Sequence, residues 1–132
     1  MVNPSNELYL ALGNLCNELG FNTYRALPDL EVAYPFVVIN YYQVIKTNVK
    51  ADIGETVSVD LDFWSTIKQQ NDLSEMLNKI KAYNRIQTPH CTFKLRENQV
   101  NYQLREDTSI PNTKLWHGIL TLPFYLTAKK EN

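Results

Sequence analysis

Two aspartates at alternate positions are the first residues in this sequence that could do chemistry. Asp60 and Asp62 lie in the segment VSVDLDF, and on a β-strand they would share one face about 7 Å apart. A carboxylate pair at that distance suits general acid–base catalysis or metal binding. Aspartates are also ordinary on the solvent-facing side of a half-buried strand, where they protect a sheet from aggregation. We favour the second interpretation, and a protein interface is a third.

The histidines and cysteines do not form a catalytic or metal-binding pattern. His90 and Cys91 are adjacent, and neighbouring side chains of a strand point to opposite faces, so the two share a site only if the backbone bulges. His117 would likewise face away from Trp116. A zinc site normally needs four ligands at characteristic spacings, and neither Cys16 nor Cys91 has a CxxC or CxxH partner. We expect two free, buried cysteines and no metal site.

Glycine positions and net charge argue against other classes of site. The four glycines are scattered along the chain, so no phosphate-cradling loop and no nucleotide cofactor are expected. Thirteen basic and 14 acidic residues leave a net charge of -1, which provides no overall basic field for nucleic acid. The sequence has neither a signal-peptide pattern at its start nor an apolar run of about 18 residues. We expect a soluble protein, made in the cytoplasm, that does not bind membranes.

Length and composition predict one folded domain, residues 1–132. With 44% hydrophobic and 20% charged residues, the chain can bury one core. A first amphipathic helix is expected from Asn3, as the cap, to Gly20. Its buried stripe would contain Leu8, Leu12, Leu15 and Leu19. A second helix, capped by Asn71 and ending near residue 84, would bury Leu73, Met76, Leu77 and Ile80.

A long β-hairpin between these helices would position the two aspartates. The segment FVVINYYQVI, residues 36–45, is rich in β-branched and aromatic residues, which predicts a strand covered on both faces. In the return strand, Val57, Val59, Leu61 and Phe63 alternate with polar residues. The alternation predicts that these apolar side chains face the core, while Asp60 and Asp62 face solvent or a partner.

The polar segment KTNVKADIG, residues 46–54, predicts a loop at the tip of the hairpin. A simply solvated loop and a loop that contacts partners both fit its composition, since a polar tip on two apolar strands is well placed to project contacts. The candidate partner-binding residues are Lys46, Thr47, Asn48, Val49, Lys50, Ala51, Asp52, Ile53, Gly54, Asp60 and Asp62.

Three further strands are predicted after the second helix, in residues 91–95, 100–104 and 114–127. Pro123 has no amide hydrogen to donate, which predicts an edge position or a bulge in the last strand. The predicted fold class is therefore α+β, an antiparallel β-sheet with a long hairpin packed by two α-helices. Eight tyrosines exceed what a core of this size needs, so we expect some of them at a protein interface.

Two motifs in this order of elements resemble a known family. YPFVVI, residues 34–39, and VDLDFWS, residues 59–65, follow one amphipathic helix and precede another. At this spacing they resemble small tail proteins of tailed bacteriophages. The nearest match is the tail terminator of siphophages, also called the tail completion or tail-to-head joining protein, a minor structural protein. The resemblance extends to about residue 84, and the later strands match in length and pattern only.

The resemblance implies an α+β structural protein without catalytic activity or cofactors. It implies a ring of six copies at the head-proximal end of the tail tube, which ends tail growth and offers a surface to the head. The implied partners are further copies of the chain, the tail-tube protein and a head connector or head-completion protein, with DNA passing through the ring but not specifically bound. The hairpin tip would face the channel or a neighbouring subunit, and the protein would reside in the virion.

Two alternatives remain open at this point. One is a head-completion or connector protein of the phage neck, which would bind the portal and DNA. The other is a small hydrolase or ligand-binding domain that uses Asp60, Asp62 and His117, and it requires these three residues to converge in one pocket.

Overall fold

Two α-helices and seven β-strands make up the part of the chain that the structure describes, residues 2–29, 31–45 and 55–130 of a computed structural model. In chain order they are α1 (Pro4–Glu18), β1 (Asn22–Tyr24), β2 (Phe36–Ile45), β3 (Thr56–Thr66), α2 (Gln70–Lys81), β4 (Arg85–Gln87), β5 (Cys91–Leu95), β6 (Asn101–Asp107) and β7 (Leu115–Lys129).

Helix α1 begins and ends where its capping residues predict. The side-chain oxygen of Asn3 accepts a hydrogen bond from the backbone amide of Asn6 at 3.2 Å, which satisfies one of the unpaired amides of the first turn. Gly20 adopts a φ of 85°, a left-handed conformation that stops a helix and that glycine adopts without strain. The predicted stripe is buried except for Leu19, which is only partly covered.

The start of helix α2 differs from the prediction. A short 3-10 turn, Ile67–Gln69, joins β3 to the helix, so Asn71 lies inside the helix and is not its cap. The backbone amide of Thr66 donates to the side-chain oxygen of Gln69 at 3.1 Å. This hydrogen bond is one of the two in a capping box, a motif in which the side chain of the residue three positions after the cap accepts from the backbone amide of the cap residue. Leu73, Met76 and Ile80 are buried as predicted.

All seven strands belong to one sheet in the described residues. The order is β1-β2-β3-β7-β5-β4, and β6 also pairs with β7. Every pair is antiparallel except β1 with β2. The predicted α+β fold with the β2–β3 hairpin is confirmed. The strands β1 and β4 were not predicted, because three residues are too few to show an alternating pattern.

Pro123 lies in a central strand of the sheet, so the edge position, one of the two predicted alternatives, is wrong. The other alternative, a bulge, occurs in the pairing of β7 with β5, but between Leu126 and Ala128 and not at Pro123. Strand β7 pairs with β3 along one side, and on its other side it pairs first with β6, up to Thr121, and then with β5, from Phe124. On that second side, the carbonyl of Pro123 accepts a hydrogen bond from the backbone amide of Arg96. Because the nitrogen and the carbonyl of one strand residue point to the same side, the ring nitrogen of Pro123 also faces the gap between β6 and β5. The missing amide hydrogen therefore costs no ladder hydrogen bond.

The core lies between one face of this sheet and the two helices. The alternating residues of β3 predicted to face inward, Val57, Val59, Leu61 and Phe63, are all at most 1% exposed. They belong to one cluster with the leucines of α1 and with Leu120, Leu122, Phe124 and Leu126 of β7. The opposite side of the sheet, turned away from the helices, is called the outer face below.

The prediction that β2 is covered on both faces is wrong for its second half. Phe36 to Ile39 are buried, but residues 40–45 are all exposed. A register shift in the β2–β3 pairing lies between Ile39 and Tyr42, so the change in burial coincides with an irregularity in the ladder. An apolar, β-branched composition indicates that a segment will form a strand. It does not indicate which other elements will cover that strand.

Candidate functional site

The predicted partner-binding residues divide between described and undescribed parts of the chain. Residues 46–54 lie outside the described residues, so their proposed role stays a prediction. Asp60 and Asp62 lie on the outer face of β3, as the alternation predicts. Asp62, however, is only 9% exposed, so little of its surface is open to solvent or to a partner.

Side-chain hydrogen bonds hold both carboxylates against the sheet. Asp62 accepts from the side-chain amide of Asn40 at 2.6 Å and lies 3.0 Å from Nε2 of His117. Asp60 accepts from the hydroxyl of Thr121 at 2.8 Å. A hydrogen bond from Tyr41 to Asp60, together with the charge of that carboxylate, raises the pKa of Tyr41. Each aspartate therefore links neighbouring strands, which is a structural use of its charge.

The structure brings Asp62 and His117 together on the outer face. The His117 ring stacks on the indole of Trp64, with centroids 3.9 Å apart and planes 6° apart. A catalytic dyad of this type needs a serine, cysteine or threonine oxygen or sulfur beside the histidine, and within residues 2–29, 31–45 and 55–130 the side-chain hydrogen-bond partner of the His117 ring is Asp62. Two cavities in the described part of the chain, of about 520 and 480 Å³, are lined by residues other than Asp60, Asp62 and His117.

A second polar cluster joins α1 to the turn before β5. One carboxylate oxygen of Glu7 accepts from the hydroxyl of Thr88 at 2.6 Å and from the backbone amide of His90 at 3.0 Å. The other oxygen lies 2.8 Å from Nδ1 of His90. Burial works to raise the pKa of Glu7, but the hydrogen bonds from Thr88 and His90 outweigh it and lower that pKa. The cluster fixes the N-terminal helix to the C-terminal strands.

The two cysteines are free and buried, as the sequence predicts. Burial raises the pKa of Cys16 to about 12, and burial together with the charge of Glu7 raises the pKa of Cys91. Both groups are therefore protonated thiols at neutral pH, which are poor nucleophiles and poor metal ligands. Within residues 2–29, 31–45 and 55–130, no three His, Cys, Asp or Glu side chains are grouped to hold a metal ion. No helix in those ranges is long and apolar enough to cross a membrane.

The most unusual surface feature is the end of β2, residues 41–45, which we call the arm. Tyr41 is 57% exposed and Ile45 is 45% exposed, while Tyr42 and Val44 are each 37% exposed. Single exposed apolar residues are common, but four of them within five consecutive positions are not. The β2–β3 register places Tyr42 and Val44 on the side of the core, opposite Val59 and Val57, and Ile45 on the outer face, opposite Thr56. The arm therefore exposes apolar side chains on both faces of the sheet, and exposed apolar surface of this kind marks interaction sites. Sequence reasoning missed this surface, because the whole of β2 has the composition of a buried strand.

A groove lies on the outer face near the opposite end of β2. Its cavity of about 480 Å³ has aromatic side chains from Tyr34, Phe36 and Trp64, and Leu27 and Ile110 flank it. Leu27 is 62% exposed and Ile110 is 48% exposed. These residues come from segments that are distant in sequence, so no local pattern could have indicated the groove.

A solved virion chain has a similar fold. A chain in the structure titled "Virion of native gene transfer agent (GTA) particle" superposes with a TM-score of 0.62, covering 92% of this chain and 96% of that chain. Sequence identity is 10%, so the similarity shows a shared fold alone. Neither a protein-family model nor a curated protein matches the sequence.

Proposed function

We propose that this protein is a structural subunit of a phage-type virion, specifically a tail terminator. In this role, copies of the chain, taken as one domain of residues 1–132, form a ring of six at the head-proximal end of the tail tube. The ring ends tail growth and offers a surface to the head connector or head-completion protein. DNA passes through the ring without sequence-specific binding, and the protein is not an enzyme.

The exposed arm carries this proposal. Strand β2 begins in the core and ends with exposed apolar side chains. Covering one half-exposed apolar side chain with a partner protein contributes about 1 kcal/mol to the free energy of association. Tyrosines are favoured at protein interfaces because they combine a large apolar ring with a polar hydroxyl. Tyr41 and Tyr42 fit that use. The arm is therefore better suited to protein contact than to solvent or to a small substrate.

Two further observations support the proposal. The structural similarity to a virion chain covers nearly the full length of both chains, as expected if the two share an architectural role and not only a local motif. The polar clusters at Asp62 and Glu7 join elements of the fold to one another. The chemistry-bearing residues are thus occupied in holding the fold.

The proposal is tested by assembly of the full chain with tail-tube protein of the phage that encodes it. We expect the chain to sediment as a hexamer at high concentration or to bind the ends of purified tail tubes, where electron microscopy would show a ring. Contact with the tube can supply the free energy for assembly. The chain must therefore be tested both alone at high concentration and in the presence of tail tubes. A chain that stays monomeric at every concentration and also leaves tubes unbound would contradict the proposal.

A deletion phenotype separates the tail terminator from a neck connector, the second candidate. Without a terminator, electron micrographs should show over-long tails lacking heads. Without a connector, they should show filled heads that lose their DNA beside tails of normal length. The second pattern would move the protein from the tail to the neck.

A further inference from the structure

The groove on the outer face is an apolar recess with an aromatic floor. The floor is the end of the sheet, where Phe36 and Leu115 are each 4% exposed and Trp64 is half-buried. The segments that join β1 to β2 and β6 to β7 form its sides, with Leu27 on one and Ile110 on the other. A cavity of about 480 Å³ is in the range of sites that hold small ligands, so one long side chain fits inside it.

The aromatic rings of the groove are positioned by contacts with one another and with the backbone. The Tyr34 and Phe36 ring centroids lie 5.5 Å apart, and Phe36 stacks on Trp64 at 6.5 Å. The backbone carbonyl of Tyr34 accepts from the side-chain amide of Gln69 at 3.2 Å. Phe36 is buried, whereas Tyr34 and Trp64 are half-buried and line the groove. Because the face of an aromatic ring is electron-rich, tyrosine and tryptophan attract cationic groups.

The charged residues that line the groove are acidic. Asp29 and Glu31 line it and are exposed, and none of the described residues that line it is basic. A third carboxylate lies close by, because Asp107 accepts from the backbone amide of Ser109 at 2.7 Å, and Ser109 also lines the groove. The groove therefore complements a positively charged group.

Basic residues of the surrounding elements do not neutralise these carboxylates from within the groove. Arg25 is directed to α1, where its guanidinium donates to two backbone carbonyls. His117 stacks behind Trp64 and lies 3.0 Å from the Asp62 carboxylate, which balances any charge on its ring. Lys68 and Lys114 are exposed and lie outside the lining. A cation that enters the groove therefore meets carboxylates and no base in the described lining.

We propose that the groove binds an arginine side chain carried by an exposed segment of another protein. The guanidinium packs against the Tyr34 and Trp64 rings and pairs with the carboxylate of Asp29 or Glu31. The methylene groups of the same side chain cover Leu27. Arginine suits this site better than lysine, because its planar head group is less strongly hydrated, stacks on aromatic rings and pairs with carboxylates through two parallel hydrogen bonds. The inference goes beyond the proposed function and does not depend on ring formation.

Titration of the full chain with short peptides tests the site, and its two tryptophans report the result. The probe is the acetylated and amidated peptide Gly-Ala-Arg-Ala-Gly, and its matched control carries citrulline, which has the shape of arginine without the charge. In heteronuclear NMR spectra, the indole N–H signal of Trp64 should shift with the arginine peptide. The signal of Trp116, which donates to the carbonyl of Ile67 outside the groove, should not. The arginine peptide should bind about tenfold more tightly than the citrulline peptide, and a lysine peptide should bind less tightly than the arginine peptide.

Neutralising the two carboxylates should remove the preference for a charged ligand. In the double variant Asp29→Asn with Glu31→Gln, affinity for the arginine peptide should fall by about fivefold, toward that of the citrulline peptide. The matched control is Asp72→Asn with Glu75→Gln, which makes the same change in net charge at exposed positions of α2 and should leave the affinity unchanged. Cooperative unfolding by urea shows that each variant is folded.

Several results would overturn the inference. Equal binding of the arginine and citrulline peptides would show a merely apolar groove, and an unmoved Trp64 signal with every peptide would show no site. Equal binding of the arginine and lysine peptides would overturn the choice of arginine. Self-association of the chain that Asp29→Asn with Glu31→Gln abolishes would assign the groove to a second copy and would overturn the partner named here. If the arginine peptide binds as expected but the chain neither assembles nor binds tail tubes, the inference stands and the proposed function fails.

Discussion

Asp62 is a charged side chain that is almost completely buried on the outer face of the sheet. Its carboxylate is 9% exposed and lies between Asn40 of β2 and His117 of β7. A buried carboxylate without partners would be strongly destabilising, and hydrogen bonds from both neighbouring strands compensate for the lost hydration. We therefore assign Asp62 a structural role first, and its proposed contact with a partner is limited to the small exposed fraction.

Substitution of the two aspartates should separate these roles. Asp62→Ala removes the acceptor from Asn40 and His117, so we expect the free energy of unfolding to fall by about 2 kcal/mol. Asp60→Ala, at a more exposed position, should cost about half as much or less. Urea denaturation measures both, and Asp62→Asn, which keeps one acceptor oxygen, is the matched control. Equal small losses for Asp60→Ala and Asp62→Ala would show that the Asp62 network contributes little.

Glu7 should make stability depend on pH in a predictable direction. Its pKa in the folded chain is below the ordinary 4.5, so its contribution is fully present above that value and is lost as the pH falls through the lowered folded value. Glu7→Gln should reduce the free energy of unfolding by about 1 to 2 kcal/mol at pH 7, and the difference should shrink toward zero in strong acid. Urea denaturation of both chains from pH 7 to pH 3 measures it. A difference that is constant across this range would contradict the assignment.

At the scale of elements, β2 has two parts with different surroundings. Its first four residues are buried, whereas residues 41–45 are exposed. Tyr42 contacts Tyr9 of α1 with ring centroids 5.7 Å apart, and beyond it Val44 and Ile45 remain exposed. A strand of continuous apolar composition can therefore stabilise the monomer with one half while the other half is available for assembly.

Polar substitutions in the arm should abolish assembly without unfolding the chain. Tyr41→Ser and Ile45→Ser alter exposed side chains, so we expect the free energy of unfolding to change by less than about 1 kcal/mol. Hexamer formation and binding to tail tubes should be lost, because the apolar contact is removed. Ile67→Ser, at a position 38% exposed outside the arm, should leave assembly intact. Loss of assembly in the Ile67 variant as well would point to a general effect of lower hydrophobicity.

At the scale of the whole molecule, β3 and β7 form the centre of the sheet. Strand β3 pairs with β2 and β7, and β7 pairs with β3, β5 and β6. The strands β1 and β4 lie at the ends of the strand order and have three residues each. Stability should therefore be highest along β3 and β7 and lowest at the two edges.

Native-state hydrogen exchange should reveal this gradient. Amides of β3 and β7 are expected to exchange only through global unfolding, while those of β1 and β4 exchange through local opening with a smaller free energy. Amides of the arm should gain protection when the chain assembles on tail tubes, and those of β4 should not. Equal protection of β4 and β7 in the monomer would contradict the central position assigned to β7.

The sequence by itself determined the elements whose signals are local. Capping by Asn3, the stop at Gly20 and the alternation of Val57, Val59, Leu61 and Phe63 depend on residues close together along the chain. These signals sufficed for helix α1, the hairpin and the α+β class. The outward side of Asp60 and Asp62 followed from the same alternation.

Only the tertiary structure decided what covers each surface. The burial of Asp62 depends on Asn40 and His117, and the groove depends on Leu27, Trp64 and Ile110, which are separated by tens of positions in the sequence. The exposure of the arm depends on which elements pack beside the end of β2, and the place of Pro123 depends on which strands flank β7. Side-chain periodicity specifies the face of a strand, but burial is a property of the neighbours that the folded chain brings to that face.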